Sequence, residues 1–297
     1  MTPMRPLVAA AIVGIAMGHG PTLAEPQPLS AYMALPAVAP TERLSYGPDP
    51  SQIVELFKPR GRGTHPVVVL LHGGGWRREF QGLAQTSGIA ADLARRGVAV
   101  WNVEYRGVDE AGGGWPGTFQ DVAAALDLLK RKGRAMGLDT GRVVAVGHSA
   151  GGHLALWAAS RSNLPRDSAL RTPDPLPIPV VISLGGAGDM EASADLAASV
   201  CGLQPDKLFG ARPDRYVDTS PARLLPAGVR VVMIHGAYDH VFPPHVGLDY
   251  VRKARKSGDK ADVVVIPDAG HFDPVMVGTP AWEIVAARVK KELNALR

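Results

Sequence analysis

Residues 143–159, VVAVGHSAGGHLALWAA, constrain this chain more than any other stretch. A β-branched run gives way at Gly147-His148-Ser149-Ala150-Gly151 to an Ala/Leu-rich run, so a buried strand has to turn into a helix within five residues. This is the G-x-S-x-G pattern. Its serine sits in a strained turn, and Gly147 two before it and Gly151 two after it keep side chains clear of neighbouring backbone. Gly152 is expected to widen that clearance. A helix beginning after Ser149 aims its free N–H groups and positive dipole end at the hydroxyl, where they stabilise negative charge on a tetrahedral intermediate. Five residues alone also fit a plain Gly-rich turn, so the rest of the chain decides.

Residues 66–71 (PVVVLL) form an unbroken apolar run, as expected of a parallel strand buried on both faces. His72-Gly73-Gly74-Gly75-Trp76 follows directly. Three glycines after a core strand let backbone N–H groups face a cavity that any side chain would obstruct, which suits an oxyanion hole. The expected donors are Gly74 and Gly75, with Ala150 from the elbow. Further strands are expected at 53–57 (an edge strand), 98–103, 142–146, 180–184, 229–234 and 263–266, and helices at 83–96, 119–132, 244–257 and 280–296. Such alternation predicts an α/β fold with a mostly parallel central sheet flanked by helices. The pattern loosens between 188 and 228, where two short helical stretches (191–200 and 205–208) suggest a small lid insertion rather than a separate domain.

A serine hydroxyl is a poor nucleophile at neutral pH and needs an imidazole to take its proton and a carboxylate to orient the imidazole. Asp239 follows the strand at 229–234, and His271, in Asp268-Ala269-Gly270-His271-Phe272, follows the last strand. Ser149, Asp239 and His271 thus each follow their own strand, in the chain order Ser, Asp, His. Asp189, Asp268 and Asp273 are rival acids. Asp268 and Asp273 lie too near His271 in sequence for a contact between loops, and Asp189 follows an earlier strand. His72, His148, His153 and His235 are expected to support loops around the site, with His153 packing inward. One or two of Trp115, Tyr238, Phe242 and Phe272 should line the pocket.

The N-terminus reads as a signal peptide over residues 1–24. Arg5 precedes an apolar stretch at 7–17 too short to span a bilayer, and Thr22-Leu23-Ala24 offers small residues for cleavage. The mature protein is therefore expected to be secreted or periplasmic, without stable membrane insertion. Residues 25–50 carry six prolines and are expected to be a Pro-rich extended segment without a helix of useful length, leaving 51–297 as the folded domain. With one cysteine, Cys201, the chain forms no internal disulfide, and the residue is expected to be a buried small apolar group. The formal charge of +4 is scattered among both signs without aromatic interleaving, which argues against a nucleic-acid surface. No spacing suggests a metal ligand set.

From about residue 44 onward the chain resembles an α/β-hydrolase of the esterase/lipase group carrying an HGGGW oxyanion motif. Hormone-sensitive-lipase-like esterases share HGGG and the pair seen here as Tyr105-Arg106, but usually carry an N-terminal helical cap that residues 25–50 do not supply. Kynurenine-formamidase-like and bacterial feruloyl-esterase-like proteins combine HGG-x-W with a small lid. The resemblance implies a serine hydrolase transferring an acyl group to water from a small-molecule ester, with no cofactor. Cleavage of a C–N bond by an arylformamidase or small peptidase is the alternative, and a non-catalytic binding module a more distant one. It also implies that Trp76 shapes the substrate pocket and that Asp121 holds the oxyanion loop.

Overall fold

The computed structural model describes residues 25–296, so the expected signal peptide lies outside the described residues. Eight strands form one sheet: β1 (Glu42–Ser45), β2 (Ile53–Phe57), β3 (His65–Leu71), β4 (Ala99–Val103), β5 (Leu138–His148), β6 (Val180–Leu184), β7 (Arg230–Gly236) and β8 (Lys260–Ile266). Their order is β1-β2-β4-β3-β5-β6-β7-β8. From β4 to β8 every pairing is parallel, while β1 and β2 add antiparallel. The helices are α1 (Leu29–Met33), α2 (Ala84–Arg95), α3 (Gly117–Lys132), α4 (Ala150–Ala159), α5 (Met190–Cys201), α6 (Pro205–Phe209), α7 (Pro244–Lys256) and α8 (Pro280–Ala295).

The central strands are apolar throughout because both of their faces are covered. Along β3, Val67, Val69 and Leu71 join the core built with α3, α4 and α7, whereas Val68 and Leu70 join the one built with α2 and α8. Local signals set the helix ends. Thr279 accepts a hydrogen bond from the Trp282 N–H with Pro280 in the first turn, and Trp282, Val285, Val289 and Leu293 then bury one stripe of α8. The Trp282 indole donates to Asp92 of α2 (2.8 Å), locking the two helices together on that face.

Two expectations need correction. Residues 25–50 are not uniformly extended: the seven residues between Pro28 and Pro36 are free of proline, enough for the single turn of α1, and β1 follows. The strand β2 is consequently not at the edge, because β1 pairs along it. The inserted segment contains α5 and α6 close to the expected positions.

The strand order places the chemistry. β3 lies between β4 and β5, so the direction of winding reverses there and a crevice opens outside the carboxyl ends of β3 and β5. The HGGGW loop leaves β3 and the Ser149 turn leaves β5 at that crevice. Asp239 and His271 arrive from the same edge, after β7 and β8.

Candidate active site

Ser149 occupies a turn that backbone crowding leaves to few residues. It has φ +52° and ψ −117°, a conformation that L residues rarely adopt and that costs on the order of 1–3 kcal/mol. Its N–H donates to the Leu184 carbonyl (2.8 Å), anchoring the turn to β6. A Cβ on Gly147 would lie 2.0 Å from the Gly151 oxygen, and one on Gly151 2.2 Å from the Leu71 oxygen, so both glycines are obligatory. Gly152 adds to that clearance, since a Cβ there would lie 3.2 Å from the Gly147 oxygen, and it has a second role. A Cβ there would meet Ser183 Oγ at 2.5 Å and Gly186 Cα at 3.0 Å, so this glycine lets α4 pack on the loop after β6.

His271 Nδ1 donates to Asp239 Oδ2 at 2.8 Å, with both side chains buried. Asp239 is itself fixed by the N–H groups of Val241 and Phe242, each donating to Oδ1 at 2.9 Å. The carboxylate is thereby aimed and charge-compensated before it meets the imidazole. Ser149 and His271 line one cavity of about 120 Å³ together with Gly74, Gly75 and His148. Among the described residues no hydrogen bond joins Ser149 Oγ to His271. Gly185, which sequence reading missed, makes room for the pair: with φ +55°, its Cβ would sit 2.9 Å from both Asp239 Oδ2 and His271 Nδ1. The glycine pair after β6 was the available signal.

The rival acids have other work. Asp189 caps α5 through the Ala192 N–H (3.1 Å) and pairs with Lys253. Asp268 occupies a left-handed turn position. Asp273 accepts from the N–H of Gly270 (2.8 Å) and of Gln27 (3.1 Å), tying the N-terminal segment to the loop that carries His271.

Gly74 and Gly75 have φ +98° and +60°, backbone conformations that favour glycine, and both line the cavity. Among the described residues their N–H groups make no hydrogen bond, nor does that of Ala150, the first residue of α4. The loop is pinned from below. His72 Nε2 lies 2.7 Å from Glu104 Oε1, and the His72 ring stacks on Tyr105 at 4.2 Å. Burial alone would raise the Glu104 carboxyl, but His72, Arg78 and the Leu83 N–H outweigh it and hold it below the ordinary range. Asp121 instead binds Arg106 through two side-chain bonds of 2.8 Å each, so the carboxylate on the oxyanion loop is Glu104. Glu104 lies 32 residues from its partner His72 and carries no local motif.

Trp76 is a further correction. Its φ of +60° turns the indole away from the cavity and into the core, where Nε1 donates to His153 Nδ1 (3.2 Å). The ring is buried and does not line the cavity. That bond fixes the His153 tautomer, so Nε2–H donates to the Thr219 carbonyl (2.8 Å) and links α4 to the inserted segment. The adjacent Trp157 donates to the Asp218 carbonyl. Of the four flanking aromatics, only Phe272 lines the cavity, alongside Leu29, Tyr32, Phe80, Val200 and Val241. Cys201 is only partly buried and also lines it, with burial pushing the thiol up to about 11.

Burial pushes His153 down to about 4 from its ordinary 6.5. The unfolded chain therefore binds an extra proton between those values, so this contribution to stability is intact above pH 6.5 and is lost as the pH falls toward 4. The gap corresponds to roughly 3 kcal/mol. Burial lowers His148 and His235 in the same sense. Urea unfolding at pH 7 and pH 4 should show a stability loss that is smaller by 1–3 kcal/mol, in order of magnitude, for His153→Asn than for the wild type. An equal loss in both proteins would contradict the assignment.

Fold and constellation together define the α/β-hydrolase class, and the comparisons with known proteins fall among its carboxylesterases. The chain belongs to the BD-FAE family, whose model matches residues 54–252. It is similar to Esterase LipC of Mycobacterium tuberculosis, with 28% identity over 245 residues, covering 78% of this chain and 59% of that protein. It is also similar to a probable isoprenylcysteine alpha-carbonyl methylesterase of Oryza sativa subsp. japonica, 31% identical over 111 residues that cover 37% of this chain and 25% of that protein. The match thus spans little more than half of one relative and a quarter of the other. Among solved structures, an Esterase B from Lactobacillus rhamnosis inhibited by a tributyrin phosphonate superimposes with a TM-score of 0.75, at 22% identity and over 90% of each chain. A truncated carbohydrate esterase from gut microbiota gives 0.72 at 20% identity, over 87% of this chain and 99% of that one. These structural matches establish the shared fold.

Proposed function

We propose that this protein is a serine hydrolase cleaving carboxylic esters of small to medium acyl groups. The observation that carries the reading is the buried Asp239–His271 hydrogen bond opening on the cavity that also holds Ser149, Gly74 and Gly75. Ser149 Oγ attacks the ester carbonyl carbon while His271 Nε2 takes the hydroxyl proton, and Asp239 holds the ring and stabilises the imidazolium. The N–H groups of Gly74, Gly75 and Ala150 receive the oxyanion. Collapse expels the alcohol, which leaves with the proton from His271, and water repeats the sequence on the acyl-enzyme. The esterases among the relatives support this reaction over C–N cleavage.

A cavity of about 120 Å³ is small beside the several hundred Å³ that enclose larger ligands, and Leu29, Phe80 and Phe272 bound it. Each methylene accommodated gains at most about 0.8 kcal/mol, roughly fourfold in kcat/KM. Across p-nitrophenyl esters from acetate to palmitate, kcat/KM should rise over the first few carbons and then fall. A maximum at palmitate would overturn the size preference, and rapid cleavage of an N-formyl anilide without ester turnover would favour a formamidase.

We also propose export through cleavage after Ala24, resting on the apolar stretch at 7–17 and Thr22-Leu23-Ala24. N-terminal sequencing of protein from the periplasmic or extracellular fraction should begin at Glu25. Full-length chain confined to the cytosol would refute it.

A further inference from the structure

From α1 and α2 the catalytic cavity receives Leu29, Tyr32 and Gln85, and among the described residues the Tyr32 hydroxyl and the Gln85 side-chain oxygen are without partners. Tyr32 is 2% exposed and Gln85 5%, and among the described residues Tyr32 Oη and Gln85 Oε1 make no hydrogen bond. Both residues line the cavity with Ser149 and His271. A buried donor or acceptor left unpaired costs about 1–3 kcal/mol, and folded interiors hold few of them. Packing does not explain either residue. Tyr32 stacks on Phe272 (centroids 5.2 Å) and meets His148 edge-on (5.7 Å) through its ring alone, contacts that a phenylalanine would make equally well. Gln85 stands in the first turn of α2 beside the oxyanion loop, its Nε2 3.5 Å from where a Cβ on Gly74 would lie.

The chemistry of the two is complementary. Burial pushes the Tyr32 phenol above its ordinary range, so it stays protonated and can donate. The Gln85 carboxamide offers an acceptor and donors. An aliphatic hydroxyl accepts and donates at once and so can pair with either side chain, whereas a plain alkyl chain leaves both unpaired. Sites built to hydrogen-bond a substrate hydroxyl discriminate strongly against the analogue that lacks it.

We propose that Tyr32 and Gln85 are specificity residues that receive a hydroxyl on the acyl chain, making short hydroxy-acid esters the preferred substrates. This rests on Ser149 being the nucleophile and on the cavity holding the acyl group. The test compares kcat/KM for phenyl 3-hydroxybutyrate and phenyl butyrate, each corrected for spontaneous hydrolysis. The wild type favours the hydroxy ester at least tenfold, and Tyr32→Phe and Gln85→Leu each cut that ratio at least threefold. Because the ratio is taken within one protein, a general loss of activity or folded fraction cancels. A wild-type ratio of one or less, a ratio unmoved by both substitutions, or a gain found only with a hydroxyl on the alcohol side (glycerol monobutyrate against propyl butyrate) overturns the proposal. If no ester is turned over, the hydrolase reading fails separately. Calorimetry on Ser149→Ala then decides the clamp: tighter binding of 3-hydroxybutyrate than of butyrate supports it, and equal or absent binding, as expected if only water bridges the two side chains, overturns it.

Discussion

Ser149→Ala should lose at least about 10⁴-fold in kcat/KM while keeping its fold. The substitution removes only Oγ, and alanine has a Cβ of the same position, so the φ of +52° is neither relieved nor worsened. The bond from the residue 149 N–H to Leu184 also survives, and with it the turn between β5 and α4. Residual turnover should come from the free N–H groups of Gly74, Gly75 and Ala150 acting on a substrate attacked directly by water, which elsewhere leaves measurable catalysis after a nucleophile is removed. The measurement is kcat/KM on a short p-nitrophenyl ester beside a thermal melt. Activity within tenfold of the wild type in a folded variant would remove Ser149 from the chemistry.

Asp239→Asn should cost on the order of 10⁴-fold in kcat, as the loss of an orienting carboxylate does in other triads. Oδ1 is held by the N–H groups of Val241 and Phe242, so an asparagine keeps its carbonyl oxygen there and turns its NH₂ toward His271 Nδ1. The ring then has to present its lone pair to that NH₂ and carry its proton on Nε2, the nitrogen that must accept from serine. Asp189→Asn is the control. Asparagine can still accept from the Ala192 N–H and cap α5, so the substitution removes mainly the charge paired with Lys253, and it should change kcat less than about threefold and stability by no more than about 1 kcal/mol. A severe loss with Asp189→Asn and little with Asp239→Asn would reverse the assignment of the acid.

The residues that sequence reading located share one property: each follows a core strand closely. Ser149, Asp239 and His271 lie just beyond β5, β7 and β8, and a parallel sheet brings all such positions to one edge whatever the helices between them do. Position alone is not sufficient, since Glu104 directly follows β4 and Gly185 directly follows β6 without belonging to a catalytic motif, and Tyr32 follows no strand of the sheet. Glu104 supports His72 from the next strand, Gly185 clears space for a pair formed by two other loops, and Tyr32 reaches the cavity from a five-residue helix between prolines. Trp76 shows the converse, since adjacency to the oxyanion glycines says nothing of where a side chain points. Backbone at φ +60° sends the indole to His153 and the core. The inference of a pocket wall from that neighbour therefore failed, while the glycines beside it line the cavity.

The most direct test of Ser149 as an activated nucleophile is covalent capture in the intact protein. A fluorophosphonate resembles the tetrahedral intermediate and reacts only where a base-activated hydroxyl faces oxyanion donors. Peptide mass mapping after labelling should find one phosphonyl group, on Ser149, with labelling abolished in Ser149→Ala and strongly slowed in Asp239→Asn. An active enzyme that remains unlabelled, or one labelled at another residue with Ser149 unmodified, would contradict the mechanism proposed here.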